Sequence, residues 1–162
     1  MPRFPKRVRA GTEHTLVFER RNGLYSVRGR RRGADEDAVA VLHDDASTSF
    51  AVYEGAPLRR RAEDEEIGPV YSAGPDGPLA VPTGRVFVRL EEGLGPDARS
   101  AEFARAGFEI EQRLSYAPNA AWLRPAHGGV AKALPALAAL ERIPGVVHVE
   151  PQLLLARAWK VG

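Results

Sequence analysis

The amino-acid sequence predicts an α+β fold in which antiparallel strands and two helices follow a small β-rich segment. The chain of 162 residues has 44% hydrophobic and 27% charged residues, which are ordinary fractions for a folded domain. After residue 80, segments with a hydrophobic period of two alternate with segments with a period near 3.6, which are the periods of strands and helices. A dense group of turn formers separates this half from the first.

That group, Ser-Ala-Gly-Pro-Asp-Gly-Pro at residues 72–78, interrupts any helix or central strand. We therefore predict a domain boundary here. Residues 1–75 form a β-rich N-terminal segment with one helix, and residues 76–162 form a second domain with a C-terminal tail.

The N-terminal segment is predicted strand by strand. Residues 15–20 and 24–28 are β-prone, and Asn22-Gly23 between them favours a type I′ hairpin, whose two central residues need positive φ. Residues 38–42 and 49–53 form a second pair around a polar turn. Residues 57–66 are typical of a helix with Pro in its first turn, and a strand is expected at 67–71.

The second half is predicted as β-α-β-β-α-β. Strands are expected at 85–90, 108–114, 120–124 and 145–150, and helices at 96–106 and 131–142, with Pro135 in the first turn of the second helix. This order is the ferredoxin-like plan, an open four-stranded antiparallel sheet with both helices on one face. Phe87, Trp122 and His148 lie in strands whose other face lacks helix cover, although each is equally well interpreted as core or half-exposed.

The charge distribution leaves nucleic-acid binding as an alternative. Residues 1–32 hold 10 basic and 2 acidic side chains, whereas residues 33–66 hold 3 and 10. The basic run Arg-Gly-Arg-Arg-Arg, which begins at Arg28, attracts phosphate by charge, but the acidic block that follows can neutralise it within one fold. The sheet also lacks the paired aromatic residues with which RNA-binding modules of this plan stack bases.

The sequence predicts no enzyme, metal site or cofactor. It has no Cys, so disulfides, zinc–cysteine sites and thiol catalysis are excluded. None of its four His has a metal-ligand spacing, and no nucleophile elbow or phosphate-binding loop is present. The polar residues of 43–49 are expected to serve a hairpin turn. No apolar stretch is long enough to cross a membrane, and this chain shows no signal peptide. The compartment stays open.

The second half resembles the propeptide of subtilisin-like serine proteases. The resemblance covers about residues 80–159 and is carried by residues 81–90, 107–116 and 137–150, the last of which is a helix followed by Ile-Pro-Gly-Val-Val-His-Val-Glu. Ala-Arg-Ala-Trp at 156–159 resembles the small-x-small-aromatic end of that family. Residues 1–79 are more loosely similar to the N-terminal segment of fervidolysin-type prodomains. The family is an inhibitor and folding chaperone of its protease, and this implies a subtilisin-like protease as the partner.

The resemblance also implies roles for the C-terminal tail. Trp159 would fill the protease pocket for the residue before the scissile bond, Ala158 and Arg157 would run along the substrate cleft, and Ala156 would enter the fourth subsite. Main-chain hydrogen bonds of an added strand would supply affinity.

The open sheet face would dock on two surface helices of the protease. Acidic residues after the last strand cap those helices in the family; Glu150 keeps one charge, whereas Gln152 departs from the pattern. The chain is either a free-standing inhibitor, and then cytoplasmic, or an excised prodomain, and then secreted. A regulatory domain that pairs its open sheet with a second copy is a further alternative.

Overall fold

The computed structural model describes residues 4–11, 16–30, 37–44, 47–56 and 65–156. Within them the chain forms strands and two short helical segments. The strands are β1 (Arg7–Ala10), β2 (Leu16–Arg20), β3 (Leu24–Arg30), β4 (Ala40–His43), β5 (Thr48–Glu54), β6 (Glu66–Gly68), β7 (Tyr71–Ser72), β8 (Leu79–Leu90), β9 (Phe108–Leu114), β10 (Ala117–Pro125) and β11 (Val146–Leu155). The helices are α1 (Ser100–Arg105), α2 (Gly129–Ala133) and α3 (Leu137–Glu141).

Of the described strands, seven form one sheet around the long central strand β8. On one edge, β8 pairs with β11 from Leu90 to Ala80. On its other edge, β8 pairs with β7 near its start and with β10 near its end. Strand β10 in turn pairs with β9. The C-terminal part therefore has the order β11-β8-β10-β9, and every neighbouring pair is antiparallel. The predicted α+β class with antiparallel sheets is confirmed.

Both helical segments cover one face of this sheet. Val86, Val88 and Leu90 alternate along β8 and pack with Phe103 of α1 and Leu140 of α3 in one buried cluster. The helix predicted at 96–106 is confirmed as a 3₁₀ turn at Pro96–Arg99 followed by α1. Gly107 follows α1 with a φ of 93°, a left-handed conformation that favours glycine.

The second helical segment differs from the prediction around Pro135. This residue is not in the first turn; it lies in a 3₁₀ turn, Leu134–Ala136, between α2 and α3. Proline has no N–H for the i→i−4 bond and its ring crowds the preceding turn, so the helix continues past it only by tightening locally. The strands predicted at 85–90, 108–114, 120–124 and 145–150 are confirmed, and three of them are longer than expected.

The N-terminal segment contributes to both sheets. Strands β4, β5, β3 and β6 form a second antiparallel sheet in that order, and the predicted pair at 38–53 is confirmed as the β4–β5 hairpin. The helix predicted at 57–66 lies mostly outside the described residues, and its last residue, Glu66, belongs to β6. The strand predicted at 67–71 is split between β6 in one sheet and β7 in the other.

The hairpin predicted around Asn22-Gly23 is wrong. Strand β2 pairs with β1 and β7, whereas β3 pairs with β5 and β6 in the other sheet. Neither Asn22 nor Gly23 has a positive φ, so the type I′ geometry that this dipeptide favours is absent. A turn does occur at these residues, but it connects a strand of one sheet to a strand of the other.

The turn at residues 72–78 joins β7 to β8 as a hairpin. Strands before and after it therefore belong to one sheet. Two further buried clusters contain residues from both sides of this turn: Phe18 and Tyr71 pack with Val130 and Leu134, and Phe50 packs with Val81 among others. The domain boundary predicted at 75/76 falls within this continuous sheet.

Candidate binding face

Three side chains form a row across three strands on the sheet face opposite the helices. Trp122 of β10 lies directly opposite Phe87 of β8, and Phe87 lies directly opposite Glu150 of β11. The two rings meet edge to face, with centroids 5.4 Å apart and an interplanar angle of 65°, an arrangement that the ring quadrupoles favour. The pleat places this row away from the buried Val86 and Val88. The structure thus brings together the aromatic residues predicted for the open face.

His148 joins the same face. Its ring centroid lies 6.2 Å from that of Phe87, and its Nε2 atom lies 3.1 Å from Oε2 of Glu150. The other carboxylate oxygen, Oε1, accepts a hydrogen bond of 2.7 Å from the backbone N–H of Gly11, at the end of β1. Glu150, predicted to contact a protease helix, is therefore engaged within its own chain. Only 21% of its side-chain surface is exposed.

Gln152, the second residue predicted for a protease helix, is also bonded within the chain. Its Oε1 atom accepts a hydrogen bond of 2.8 Å from the hydroxyl of Thr83. The backbone N–H of Arg85 donates to that same hydroxyl at 3.2 Å. These bonds connect β11 to β8 next to Gly84, whose φ of 98° marks a local irregularity of β8.

A groove of about 470 Å³ runs from the aromatic row along β11. The end of the β1–β2 pair forms its opposite wall. The lining is mostly apolar and includes the side chains of Leu16, Phe18, Phe87, Trp122, Leu153 and Leu155. Leu16 and Leu155 are each 54% exposed, so the rim of the groove presents apolar surface to solvent.

The β4–β5 hairpin covers another part of the predicted open face. Arg85 of β8 donates two hydrogen bonds from one guanidinium nitrogen to the carboxylate of Asp44, at 3.2 and 3.0 Å. The Asp44 side chain is only 6% exposed, and Glu111 of β9 lies 3.7 Å from Arg85 on the same face. The backbone N–H of Asp44 donates to the carbonyl of Thr48, so the predicted hairpin turn is confirmed, but the Asp44 carboxylate bonds to Arg85 and not to the local backbone. The uncovered face is narrower than a bare four-stranded sheet.

The last described residue, Ala156, is the first residue of the predicted tail. The backbone N–H of Ala156 donates to the carbonyl of Leu79 at 2.8 Å, so the ladder between β11 and β8 continues one residue past β11. Ala156 packs against the cluster that contains Leu42 and Phe50. Arg157, Ala158 and Trp159 lie outside the described residues.

The basic run has a partner within the chain. The guanidinium of Arg28, in β3, lies 4.0 Å from the carboxylate of Glu66 in the neighbouring β6. Arg31 and Arg32 lie outside the described residues. The Arg28 contact agrees with internal neutralisation of the basic and acidic blocks.

Glu66 also contacts the start of α2. Its Oε1 atom accepts a hydrogen bond of 2.8 Å from the N–H of Val130. An anion at a helix start is stabilised by free N–H groups and the helix dipole, and here the chain's own carboxylate takes that place. Sequence analysis missed this role because the two residues are 64 positions apart and no local motif links them.

Neither a cluster of metal-ligand residues nor a membrane-spanning helix is found in the described part of the chain. Among these residues no group of three or more His, Asp or Glu side chains is placed to hold a metal ion, and no described helix is both long and apolar enough to cross a bilayer. Comparison with family models, curated proteins and solved structures finds no match to this chain.

Proposed function

We propose that this chain is a non-catalytic binding protein for a subtilisin-like serine protease, which it inhibits or helps to fold. The observation that carries the proposal is where β11 ends relative to the open sheet face. Strand β11 pairs with β8 as far as Ala156, and the Trp122–Phe87 pair stands on the face that the helices leave uncovered. A sheet face and an outgoing strand together suit a protease surface with an adjoining cleft.

We further assign residues 79–155 to the ferredoxin-like plan. The order β11-β8-β10-β9, the antiparallel pairing of each neighbour and the helical segments in the β8–β9 and β10–β11 connections support this assignment. In this plan the first and last strands lie side by side in the sheet. The end of β11 is therefore held beside the face that would dock.

The proposed mechanism is strand addition. In the proposed complex, residues 157–159 form an added strand in the protease cleft, where main-chain hydrogen bonds provide affinity and side-chain pockets provide specificity. Trp159 supplies the largest apolar contact, because burial of an aromatic ring contributes about 1.5–3 kcal/mol. Phe87 and Trp122 contribute a second contact outside the cleft.

The test is titration of a subtilisin-type protease with the full chain and its variants. Trp159→Ala should weaken inhibition roughly ten- to a hundredfold, and deletion of residues 156–162 should weaken it further because the strand hydrogen bonds are lost as well. Tyr116→Ala is the matched control: this aromatic residue is 83% exposed, lies in the β9–β10 turn and should leave inhibition unchanged.

Two outcomes would reject the proposal. Equal inhibition by the full chain and the truncated chain would exclude the cleft model. Failure to inhibit any subtilisin-type enzyme, together with nucleic-acid binding that Arg28→Ala/Arg31→Ala abolishes, would favour the basic-run alternative. A steep fall of that binding with salt would accompany it.

A further inference from the structure

The groove beside β11 combines an apolar lining with one carboxylate. Of the described residues that line it, Glu150 is the one with an ionisable side chain, and it stands among aromatic and aliphatic residues. A carboxylate beside aromatic rings is suited to a cation, because the ring faces attract positive charge and the carboxylate accepts its N–H groups. The groove therefore selects for charge as well as for apolar surface.

The Glu150 carboxylate still has capacity for a ligand. An ionised carboxylate offers about four acceptor positions. The structure uses one on Oε1, for the N–H of Gly11, and one on Oε2, for His148. A guanidinium or ammonium group can take the others without displacing either contact.

The backbone of β11 along the groove has no ladder partner on its outer edge, although the end of β1 contacts β11 beside Glu150. Strand β11 pairs with β8 on one edge, and no other described strand pairs with its outer edge. Pro151 has no N–H to donate, so an added strand would bond to the N–H and C=O groups on either side of it. The groove follows this edge from Glu150 to Leu155.

We propose that the groove binds an extended peptide segment of a partner along the edge of β11, with a Lys or Arg side chain opposite Glu150. In an added strand, the residue opposite Glu150 joins the existing row of Glu150, Phe87 and Trp122 on the same face. Neighbouring side chains in such a row lie about 4.5–5.5 Å apart at Cβ. The charged end then meets Glu150, while the aliphatic stem lies toward Phe87.

Apolar residues on the peptide complete the match. Side chains alternate along a strand, so the residues flanking the basic one point toward the other side of the edge. There the groove offers Leu153 and Leu155 on one wall and Phe18 on the other. The recognised segment is apolar–basic–apolar. This inference does not depend on residues 157–159, although it uses the same Phe87–Trp122 pair that the proposed protease contact uses.

The test measures peptide binding by tryptophan fluorescence. The chain has two Trp residues, so a Trp159→Phe background leaves Trp122, in the groove, as the reporter. The probes are three peptides, Ac-Leu-Val-Arg-Val-Leu-NH₂ and its versions with Gln or Glu in place of Arg. We expect the Arg peptide to bind about tenfold more tightly than the Gln peptide, as one charge-assisted hydrogen bond predicts, and the Glu peptide to bind most weakly.

Glu150→Gln is the deciding variant, since its amide oxygen can still accept the Gly11 N–H. The Glu150→Gln protein should prefer the Arg peptide over the Gln peptide by no more than about twofold. The control is Glu92→Gln, at an exposed acidic residue outside the groove, which should keep the full preference for the Arg peptide. Unfolding midpoints of both variants check that the fold is intact. Equal affinity of the Arg and Gln peptides, or a preference that survives Glu150→Gln, would overturn the proposal. Binding of 3-phenylpropylamine as tight as that of the Arg peptide would overturn its strand-pairing part.

Discussion

At the scale of single residues, Glu66 connects the two sheets. It belongs to β6 of the smaller sheet, and its carboxylate bonds to Val130 at the start of α2, which covers the larger sheet. Gly129 makes this approach possible: its φ is 51°, and a Cβ atom there would lie within van der Waals overlap of the Glu66 carboxylate. The close approach of the Glu66 carboxylate therefore requires a residue without a Cβ atom at position 129.

We predict that Glu66→Ala lowers the free energy of unfolding by about 0.5–2 kcal/mol, the usual cost of a lost helix cap. Glu66→Gln should cost less, because the amide oxygen can still accept the Val130 N–H. Urea unfolding of the full chain measures both changes. Glu92→Ala is the matched control, and an equal loss in Glu92→Ala and Glu66→Ala would show that the contact does not stabilise the fold.

The burial of Tyr71 predicts that the free energy of unfolding falls at high pH. Its side chain is fully buried, its hydroxyl donates to the carbonyl of Pro5 at 2.7 Å, and burial raises its pKa to about 12, against a smaller lowering by Arg20. The folded chain therefore holds this proton more tightly than the unfolded chain, whose tyrosines have a pKa near 10. The stability from this group is complete below about pH 10 and is lost as the pH rises to about 12.

Unfolding midpoints measured from about pH 8 upward should decline more steeply in wild type than in Tyr71→Phe above about pH 10. At about 1.4 kcal/mol per pKa unit, the difference amounts to about 2–3 kcal/mol over the whole window. Tyr116→Phe removes an exposed tyrosine and should follow wild type. Parallel curves for Tyr71→Phe and wild type would mean that Tyr71 ionises as freely in the folded chain as in the unfolded one.

At the scale of elements, helix α3 is held by one apolar face. Leu140 is fully buried in the main cluster, and Val146 at the start of β11 packs against it. We predict that Leu140→Ala costs about 2–5 kcal/mol, a large part of the about 5–15 kcal/mol that stabilises a domain. Val147→Ala, at a neighbouring 54% exposed position, should change stability by less than about 1 kcal/mol. Thermal or urea unfolding would contradict this prediction if the two variants lost equal stability.

Elements with a clear local pattern could be predicted from the sequence. Strand β9 was predicted with its observed bounds because Phe108, Ile110 and Leu114 alternate with charged residues, which are exposed in the structure. Gly107 marked the end of the preceding helix for the same local reason. The 3₁₀ turn at Pro135 was not predicted, since whether a helix stops or tightens at a proline depends on what packs around it.

At the scale of the whole molecule, the choice of strand partners depends on contacts that no local pattern records. Phe18 of β2 enters the cluster beneath the larger sheet, while Val27 of β3 is buried in the other sheet. The turn at Asn22-Gly23 was therefore predictable, but its hairpin was not. The aromatic row was within reach of sequence analysis because Phe87 and Trp122 alternate with core residues. The contact between Asp44 and Arg85 could not be predicted, because the two residues are 41 positions apart and no local pattern links them.

The last prediction concerns the boundary at residues 75/76. The main cluster and every residue packed against it lie between Val86 and Val149, so a fragment of residues 76–162 contains that core complete. It lacks the strands and side chains that cover Ala80, Val81, Val130 and Leu134, all buried in the full chain. Exposed apolar surface of this kind lowers stability and promotes association.

We therefore expect the 76–162 fragment to unfold cooperatively, at a lower urea midpoint than the full chain, and to self-associate as its concentration rises. Replacing Ala80 and Val81 by Thr in the fragment should reduce the association, because both side chains lose their cover only there. A midpoint equal to that of the full chain would mean that residues 1–75 add no stability to the second domain. A fragment without a cooperative transition would mean that the continuous sheet, and not either half, is the folding unit.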